Sequence, residues 1–120
     1  MRTKYRDIKP FVTKDGSTVR ELMHPLHHGN KNQSLAEAII PAGSKTGLHL
    51  HRSSEEIYYV ISGQGIITLG MKTFHIEPGD TVLIPPLNAH SVENTVSEDL
   101  HILCACSPAY SDDDTELLDC

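Results

Sequence analysis

The sequence has no apolar run long enough to cross a membrane. The longest, residues 57–71, contains three glycines. It is shorter than the roughly 20 residues that a spanning helix needs. No apolar segment follows the basic residues 1–6, so we expect no signal peptide. These absences argue against a helical membrane protein and against export.

The sequence also lacks an excess of basic residues. Its 120 residues include ten Lys and Arg against sixteen Asp and Glu, for a formal net charge of −6. This balance disfavours binding along a phosphate backbone, so nucleic acid is not an expected partner. Five of the acids fall within the last nine residues, and the rest of the chain is close to neutral. We therefore predict an acidic, solvated tail over residues 108–120.

Cysteine is scarce, with three in the chain. Cys104 and Cys106 are two residues apart in a strand-like segment, which places both side chains on one face. Their Cα atoms would be about 6.6 Å apart, near the upper limit for a disulfide. We expect both to be small buried apolar residues rather than metal ligands, and Cys120 to be free. Three cysteines without an export signal are typical of a reducing cytoplasm.

Turn residues divide the chain into short segments rich in β-branched residues. Such segments at spacings of about 8–12 residues predict an antiparallel sandwich or barrel. The predicted strands are residues 18–22, 35–40, 48–51, 57–61, 65–69, 73–76, 81–84, 89–94 and 100–106. Residues 112–118 are also considered as a short helix. The length suits one compact domain, and the predicted fold class is all-β.

The chain contains eight histidines, and two of them are spaced for metal binding. His49 and His51 alternate with Leu50, so both imidazoles project to one face of a strand. Glu56 follows a polar loop, and His90 begins a later strand. Three imidazoles and a carboxylate suit one divalent transition metal ion, such as Mn, Fe, Ni, Co, Cu or Zn. An octahedral ion on these four ligands keeps two positions for water, substrate or dioxygen, as catalytic sites do.

Two segments around these residues resemble the sequence motifs of the cupin family. The first reads G-x5-H-x-H-x4-E-x6-G over residues 43–63, and the second reads G-x5-P-P-L-N-A-H-x3-N over residues 79–94. The fifteen residues between them are similar to the spacing in small single-domain microbial cupins. The six-residue spacing to Gly63 favours Glu56 over Glu55 as the carboxylate. Leu87 stands where the second motif usually has glycine, and a left-handed backbone there would strain it.

The resemblance implies a jelly-roll barrel, or double-stranded β-helix, over residues 35–107. Residues 1–34 would form an arm and first strand, packed on the barrel or on a partner subunit. The residues implied as metal ligands are His49, His51, Glu56 and His90. The implied partners are a small molecule and a second copy in a homodimer, with neither nucleic acid nor membrane. Dioxygenase, isomerase or epimerase, decarboxylase and lyase activities all suit the fold, as does a non-catalytic module that binds or senses a small molecule or metal.

Strand alternation from Glu56 predicts which neighbouring side chains line the barrel. Tyr58 and Val60 should face inward, where Tyr58 either donates a hydrogen bond to a substrate or fills the barrel. The side chains predicted to face outward are Ile57, Tyr59 and Ile61. Such a row is too apolar for a solvated surface, so it requires a partner subunit or the N-terminal arm.

The remaining candidate residues favour structural interpretations. A proline interrupts His24, His27 and His28 and a glycine follows them, which predicts a loop rather than a second metal site. Lys45 and Arg52 flank the first motif. We expect them to solubilise two loops rather than to recruit an anionic substrate.

Overall fold

The computed structural model describes residues 1–118, and most of its regular structure is β-strand. The strands are β1 (Phe11–Val12), β2 (Thr18–Met23), β3 (Ser34–Ile40), β4 (His49–His51), β5 (Glu55–Ser62), β6 (Gly65–Leu69), β7 (Lys72–Ile76), β8 (Thr81–Ile84), β9 (His90–Glu93), β10 (Leu100–Ser107) and β11 (Thr115–Leu117). The helical elements are α1 (Pro25–His28) and the 3₁₀ turns Tyr5–Asp7 and Asp112–Asp114. The all-β prediction is confirmed. Within residues 1–118, no helix combines the length and apolar character that crossing a membrane requires.

Two antiparallel sheets form the molecule. Their strand orders are β1-β2-β3-β10-β5-β8 and β11-β4-β9-β6-β7. The largest fully buried apolar side chains come from both sheets and include Val60, Ile67, Ile76, Ile84, Val92, Leu100 and Ile102. The apolar core therefore lies between the two sheets, as a jelly-roll barrel requires.

Alternation along β5 follows the predicted pattern. Tyr58 and Val60 are buried, and the outward residues Ile57, Tyr59 and Ile61 are 42–44% exposed. Strand β8 pairs with β5 and places Leu83 opposite Ile57. Because Leu83 is 54% exposed, the apolar row continues across the outer surface of the six-stranded sheet. We call Ile57, Tyr59, Ile61 and Leu83 the outer apolar face.

The nine predicted strands are present, each with ends shifted by no more than two residues. Two short strands, β1 and β11, were not predicted. Residues 25–28 form one helical turn where a loop was predicted, because the His24 ring accepts a hydrogen bond from the Leu26 N–H at its start and Gly29 ends it in a left-handed conformation.

Residues 108–120 were predicted to form a solvated tail, but Thr115 is buried, and of the helix considered over residues 112–118 only the 3₁₀ turn Asp112–Asp114 forms. Residues 115–117 form β11, which pairs with β4 and places Thr115 opposite His51. Asp114 also accepts hydrogen bonds from the backbone N–H groups of Ser53 and Ser54. The physical reason is that β4 would otherwise be a sheet edge with unpaired backbone groups. Cys120 lies outside the described residues.

Leu87 is the one non-glycine residue of the described chain with a positive φ, at 68°. Its backbone N–H donates to the His51 carbonyl at 2.7 Å, which ties the loop before β9 to β4. The glycine of the usual motif would adopt this left-handed conformation without strain. The expected strain at Leu87 is therefore present in the structure.

We predict that Leu87→Gly raises the free energy of unfolding by about 0.5–1 kcal/mol. The strain of a leucine in the left-handed conformation is larger than the conformational entropy that a glycine loses on folding, so the substitution gives a net gain. Leu87 is 62% exposed, so little apolar burial is lost. Urea denaturation measures the change. Leu26→Gly, at an exposed leucine with an ordinary φ, is the control and should lower stability. Equal destabilisation by both substitutions would contradict the prediction.

Candidate metal centre

Three predicted ligands come together on one sheet. His49 and His51 lie on β4, and the pairing of β4 with β9 places His49 directly opposite His90. Their exposed fractions are 4%, 3% and 0%. One ring nitrogen from each histidine lies within 4.8 Å of those of the other two. Alternation along β4 and the register with β9 therefore produce a buried group of three imidazoles.

Backbone carbonyl groups orient two of the three rings. The His49 Nδ1 atom is 2.8 Å from the Gly47 carbonyl oxygen, and the His90 Nδ1 atom is 2.9 Å from the Asn88 carbonyl oxygen. A carbonyl oxygen accepts and cannot donate, so each Nδ1 carries the proton. In the neutral ring, Nε2 then keeps its lone pair. This tautomer is the one that binds a metal through Nε2.

Thr115 orients the third ring in the same way. The His51 Nδ1 atom is 2.9 Å from Thr115 Oγ1. The Thr115 hydroxyl donates its own proton to the Ser111 carbonyl oxygen at 2.8 Å. Its oxygen is therefore the acceptor for His51 Nδ1–H. Strand β11 thus sets the tautomer of a residue on β4.

Glu56 approaches the imidazoles from the opposite sheet. Its Oε1 lies 3.2 Å from His51 Nε2 and 3.4 Å from His90 Nε2. The Cys106 thiol donates to Oε2 at 3.3 Å. Burial acts to raise the pKa of Glu56, but contacts with the His51 and His90 rings in their protonated form outweigh it and hold the pKa at about 2. The carboxylate is therefore ionised at neutral pH.

These contacts need a positive charge between the donors. When Nδ1 carries the only proton of a ring, the Nε2 lone pair faces the Glu56 carboxylate oxygen and the two repel each other. A second proton on the ring, or a metal ion between the two atoms, removes this repulsion. Burial and the neighbouring His90 both lower the pKa of His49, which disfavours several imidazolium ions in one cluster. The His90 Nε2 atom is buried and has no hydrogen-bond partner among the described residues. The donor set therefore fits a divalent metal ion.

Asp15 is a site residue that the sequence analysis missed. It lies in the turn between β1 and β2, and its Oδ2 is 3.6 Å from His49 Nε2. Its Oδ1 accepts hydrogen bonds from the Ser17 N–H and from the Thr13 and Ser17 hydroxyls, at 2.6–2.9 Å. These bonds fix the direction of Oδ2. The Asp-Gly dipeptide at positions 15 and 16 indicates a turn, but no local signal places that turn beside β4.

A cavity lies beside the histidines, between them and strands β1–β3. Its apolar wall includes Phe11, Val19, Ala36, Ala38 and Tyr58. Its carboxyl groups are Asp15, Glu21 and Glu56. Among its lining residues, all within the described part of the chain, there is no Lys or Arg.

Tyr58 faces this cavity, and its ring centroid lies 6.0 Å from that of His90. Burial, followed by the charge of Glu56, raises the pKa of Tyr58 well above its ordinary value. The phenol therefore stays protonated at neutral pH and is available only as a neutral donor or acceptor. Its catalytic role stays a prediction.

The second histidine cluster has local bonding roles. His24 Nδ1 accepts from the Leu26 N–H, and its Nε2 lies 2.7 Å from the Tyr110 carbonyl oxygen, to which it donates. The His28 Nδ1 atom accepts from the His24 N–H at 2.9 Å. With both nitrogens of His24 engaged, these residues are not grouped as metal ligands anywhere in residues 1–118.

The cysteines and the flanking bases also stay outside the ligand group. Burial raises the pKa of both Cys104 and Cys106, so they are thiols in this structure, and neither is grouped with the three histidines among the described residues. The Arg52 guanidinium lies 2.7 Å from Glu116 on the surface. Neither Arg52 nor Lys45 lines the cavity beside the histidines.

A family model agrees with this fold. The Cupin domain model matches residues 36–106, which is more than half of the chain and includes the four predicted ligands. The chain belongs to the cupin family. The resemblance stated from the two sequence motifs is thereby confirmed.

Among its relatives in sequence, an uncharacterized protein of Methanocaldococcus jannaschii is 51% identical over 119 residues, which cover 99% of this cupin and 95% of the relative. The oxalate-binding protein of Thermotoga maritima is 37% identical over 84 residues, which cover 70% of this cupin and 65% of that protein. The sequence similarity to these relatives therefore extends over most of the chain.

Solved structures share the same architecture. A Thermotoga maritima protein described as a predicted oxalate decarboxylase superposes with a TM-score of 0.76 at 29% identity, covering 90% of this cupin and 99% of that chain. The polyketide cyclase RemF from Streptomyces resistomycificus gives a TM-score of 0.83 at 20% identity, covering 100% of this cupin and 86% of that chain. At 20% identity, the similarity to RemF shows a shared fold and nothing about function.

We predict that Thr115→Val lowers metal affinity about tenfold or more, because the His51 ring loses the acceptor that fixes its tautomer. Isothermal titration with Zn²⁺ measures this affinity. Thr73→Val, at an exposed threonine on β7, is the matched control and should bind as the wild type does. Unchanged affinity in Thr115→Val would show that Thr115 does not prepare His51 for binding.

Proposed function

We propose that this cupin is a small metalloenzyme that acts on an oxygen-bearing small molecule at one divalent transition-metal ion. The observation that supports it most is the buried group of three imidazoles, each with its Nδ1 partner in place, two of which have Nε2 within 3.2 and 3.4 Å of the ionised Glu56 carboxylate. The residues proposed to hold the ion are His49, His51, Glu56 and His90. A metal site with open positions beside a cavity is the arrangement that catalysis requires.

A divalent ion held there would supply Lewis acidity toward a carbonyl, carboxylate or hydroxyl group, or a site for dioxygen. The chain's own residues contribute binding and orientation. The apolar wall formed by Val19, Ala36 and Ala38 excludes water and packs against carbon atoms of a substrate. The protonated phenol of Tyr58 is the neutral donor available to a substrate oxygen. These features suit isomerase, decarboxylase, lyase and dioxygenase reactions alike.

The alternative is a non-catalytic cupin that binds or senses a small molecule. It is favoured by the Thermotoga maritima relative, which is described as a binding protein. The two functions differ in turnover. An enzyme releases altered product when the loaded protein is incubated with substrates, whereas a binding module retains an intact ligand.

We further propose that the protein works as a cytoplasmic homodimer. Support for the dimer comes from the outer apolar face, whose members are 42–54% exposed in the single chain. Contact with a second copy would remove this surface from water. Support for a reducing compartment comes from Cys104 and Cys106, which are free thiols.

Elemental analysis of untagged protein tests the metal site. We expect about one ion per chain in the wild type and loss of most metal from His49→Ala and His51→Ala, because each substitution removes one of the four proposed protein ligands. His75→Ala, on the exposed strand β7, is the control and should retain the ion. Equal, substoichiometric metal in the wild type and the ligand variants would show that the site assignment is wrong.

Light scattering after size exclusion tests the dimer. We expect the mass of two chains for the wild type and of one chain for Ile57→Glu, because a charge in an apolar interface is costly to bury. Met71→Glu, at a fully exposed residue outside the outer apolar face, should remain dimeric. A wild type with the mass of a single chain would contradict the proposal.

A further inference from the structure

We propose that this site selects an uncharged oxygen-bearing molecule and discriminates against small dianions such as oxalate. The inference rests on the proposed function, because it concerns the ligand of the same metal ion. One relative is an oxalate-binding protein. The charges inside this chain's cavity nevertheless favour a different class of ligand.

The first step is the charge balance at the ion. Glu56 Oε1 lies 3.2 and 3.4 Å from two of the imidazoles, and Asp15 Oδ2 lies 3.6 Å from the third. Two carboxylates therefore lie beside the Nε2 atoms. Because the three imidazoles are neutral when they bind a metal, these two carboxylates together cancel the charge of a divalent ion. No excess positive charge is left to attract an anion.

The second step is the rest of the cavity wall. No Lys or Arg lines it within residues 1–118. Lys14 lies next to Asp15 in sequence, but its Nζ donates to the Asp112 and Thr115 carbonyl oxygens at 2.6 and 3.1 Å. Its charge is thereby held toward the C-terminal segment. Anion-binding sites ordinarily supply Arg, Lys or clustered N–H groups, so this wall lacks what a dianion needs.

The third step is Glu21, a further carboxyl group in the same wall. It lies on the inner face of β2. Its Oε2 is buried 3.6 Å from His24 Nε2, but that nitrogen donates to the Tyr110 carbonyl, and Oε2 has no hydrogen bond among the described residues. Burial raises its pKa, but in neither protonation state does it add positive charge. A carboxylate oxygen left without a hydrogen bond in a cavity attracts a ligand's O–H or N–H donor and repels an anion. With the apolar side chains of Phe11 and Val19 nearby, the wall suits an alcohol or hydroxyketone.

A series of three probes tests the inference. Oxalate, oxamate and oxamide have nearly the same size and carry two, one and no negative charges at neutral pH. Their affinities are measured by titration of Zn²⁺-loaded protein, after the metal content of each sample has been determined. A metal ion prefers carboxylates to amides by itself, so the quantity compared is the change between the wild type and each variant.

Two isosteric variants remove the charges. Asp15→Asn keeps the Oδ1 acceptor that holds the turn and replaces only the atom facing His49. Glu21→Gln removes the charge without touching the ligands. We expect each to strengthen oxalate binding about tenfold while oxamide binding changes less than about threefold, since only the charged probe experiences the lost repulsion. Asp80→Asn, in the turn before β8 and outside the cavity, is the control and should change neither affinity.

The outcomes separate the two proposals. Metal-loaded variants that bind oxalate no better than the wild type would overturn the inference on ligand class alone. A wild type that takes up no metal would overturn the proposed function, and this inference with it. A rise in oxalate affinity in both variants but not in Asp80→Asn is the result that supports the charge argument.

Discussion

The structure depends on three hydrogen bonds that hold the protonated Nδ1 atoms of the site histidines. Two go to backbone carbonyl oxygens and one to a threonine hydroxyl, at 2.8–2.9 Å. Each leaves an Nε2 lone pair free in a group whose ring nitrogens lie within 4.8 Å of one another, beside a buried carboxylate that stays ionised. Burying this much polar surface is costly unless a cation lies between these groups. The remainder of the barrel supplies the rigid positions from which these bonds are made.

Segments outside the matched cupin region complete the site. Residues 36–106 contain the four proposed ligands, whereas Asp15 precedes this region and Thr115 follows it. The turn with Asp15 adds a carboxylate beside His49, and the strand with Thr115 sets the tautomer of His51. A shared barrel can therefore keep its metal ligands while the flanking segments change the charge that a substrate meets. This separation explains why family membership alone does not decide the substrate.

The sequence predicted those parts of the site that depend on local spacing. Strand alternation placed His49 and His51 on one face, and the cupin motifs identified Glu56 and His90. Asp15 and Thr115 could not be predicted, because their places depend on the pairing of strands distant in sequence. Strands β1 and β11, with two and three residues, are too short to show alternation, and the acidic residues around β11 are typical of a solvated segment. Tertiary pairing with the edge of β4 overrides that local preference.

The central claim is that three imidazoles bind one ion through Nε2. X-ray absorption spectroscopy of the Co²⁺-loaded protein tests it most directly, because outer-shell scattering from imidazole rings reports how many histidines are bound. The account predicts three imidazoles per ion in the wild type and two for the Co²⁺ that His90→Ala still binds, with Glu56 among the oxygen ligands. A wild-type spectrum with one imidazole or none, or a spectrum that His90→Ala leaves unchanged, would contradict it.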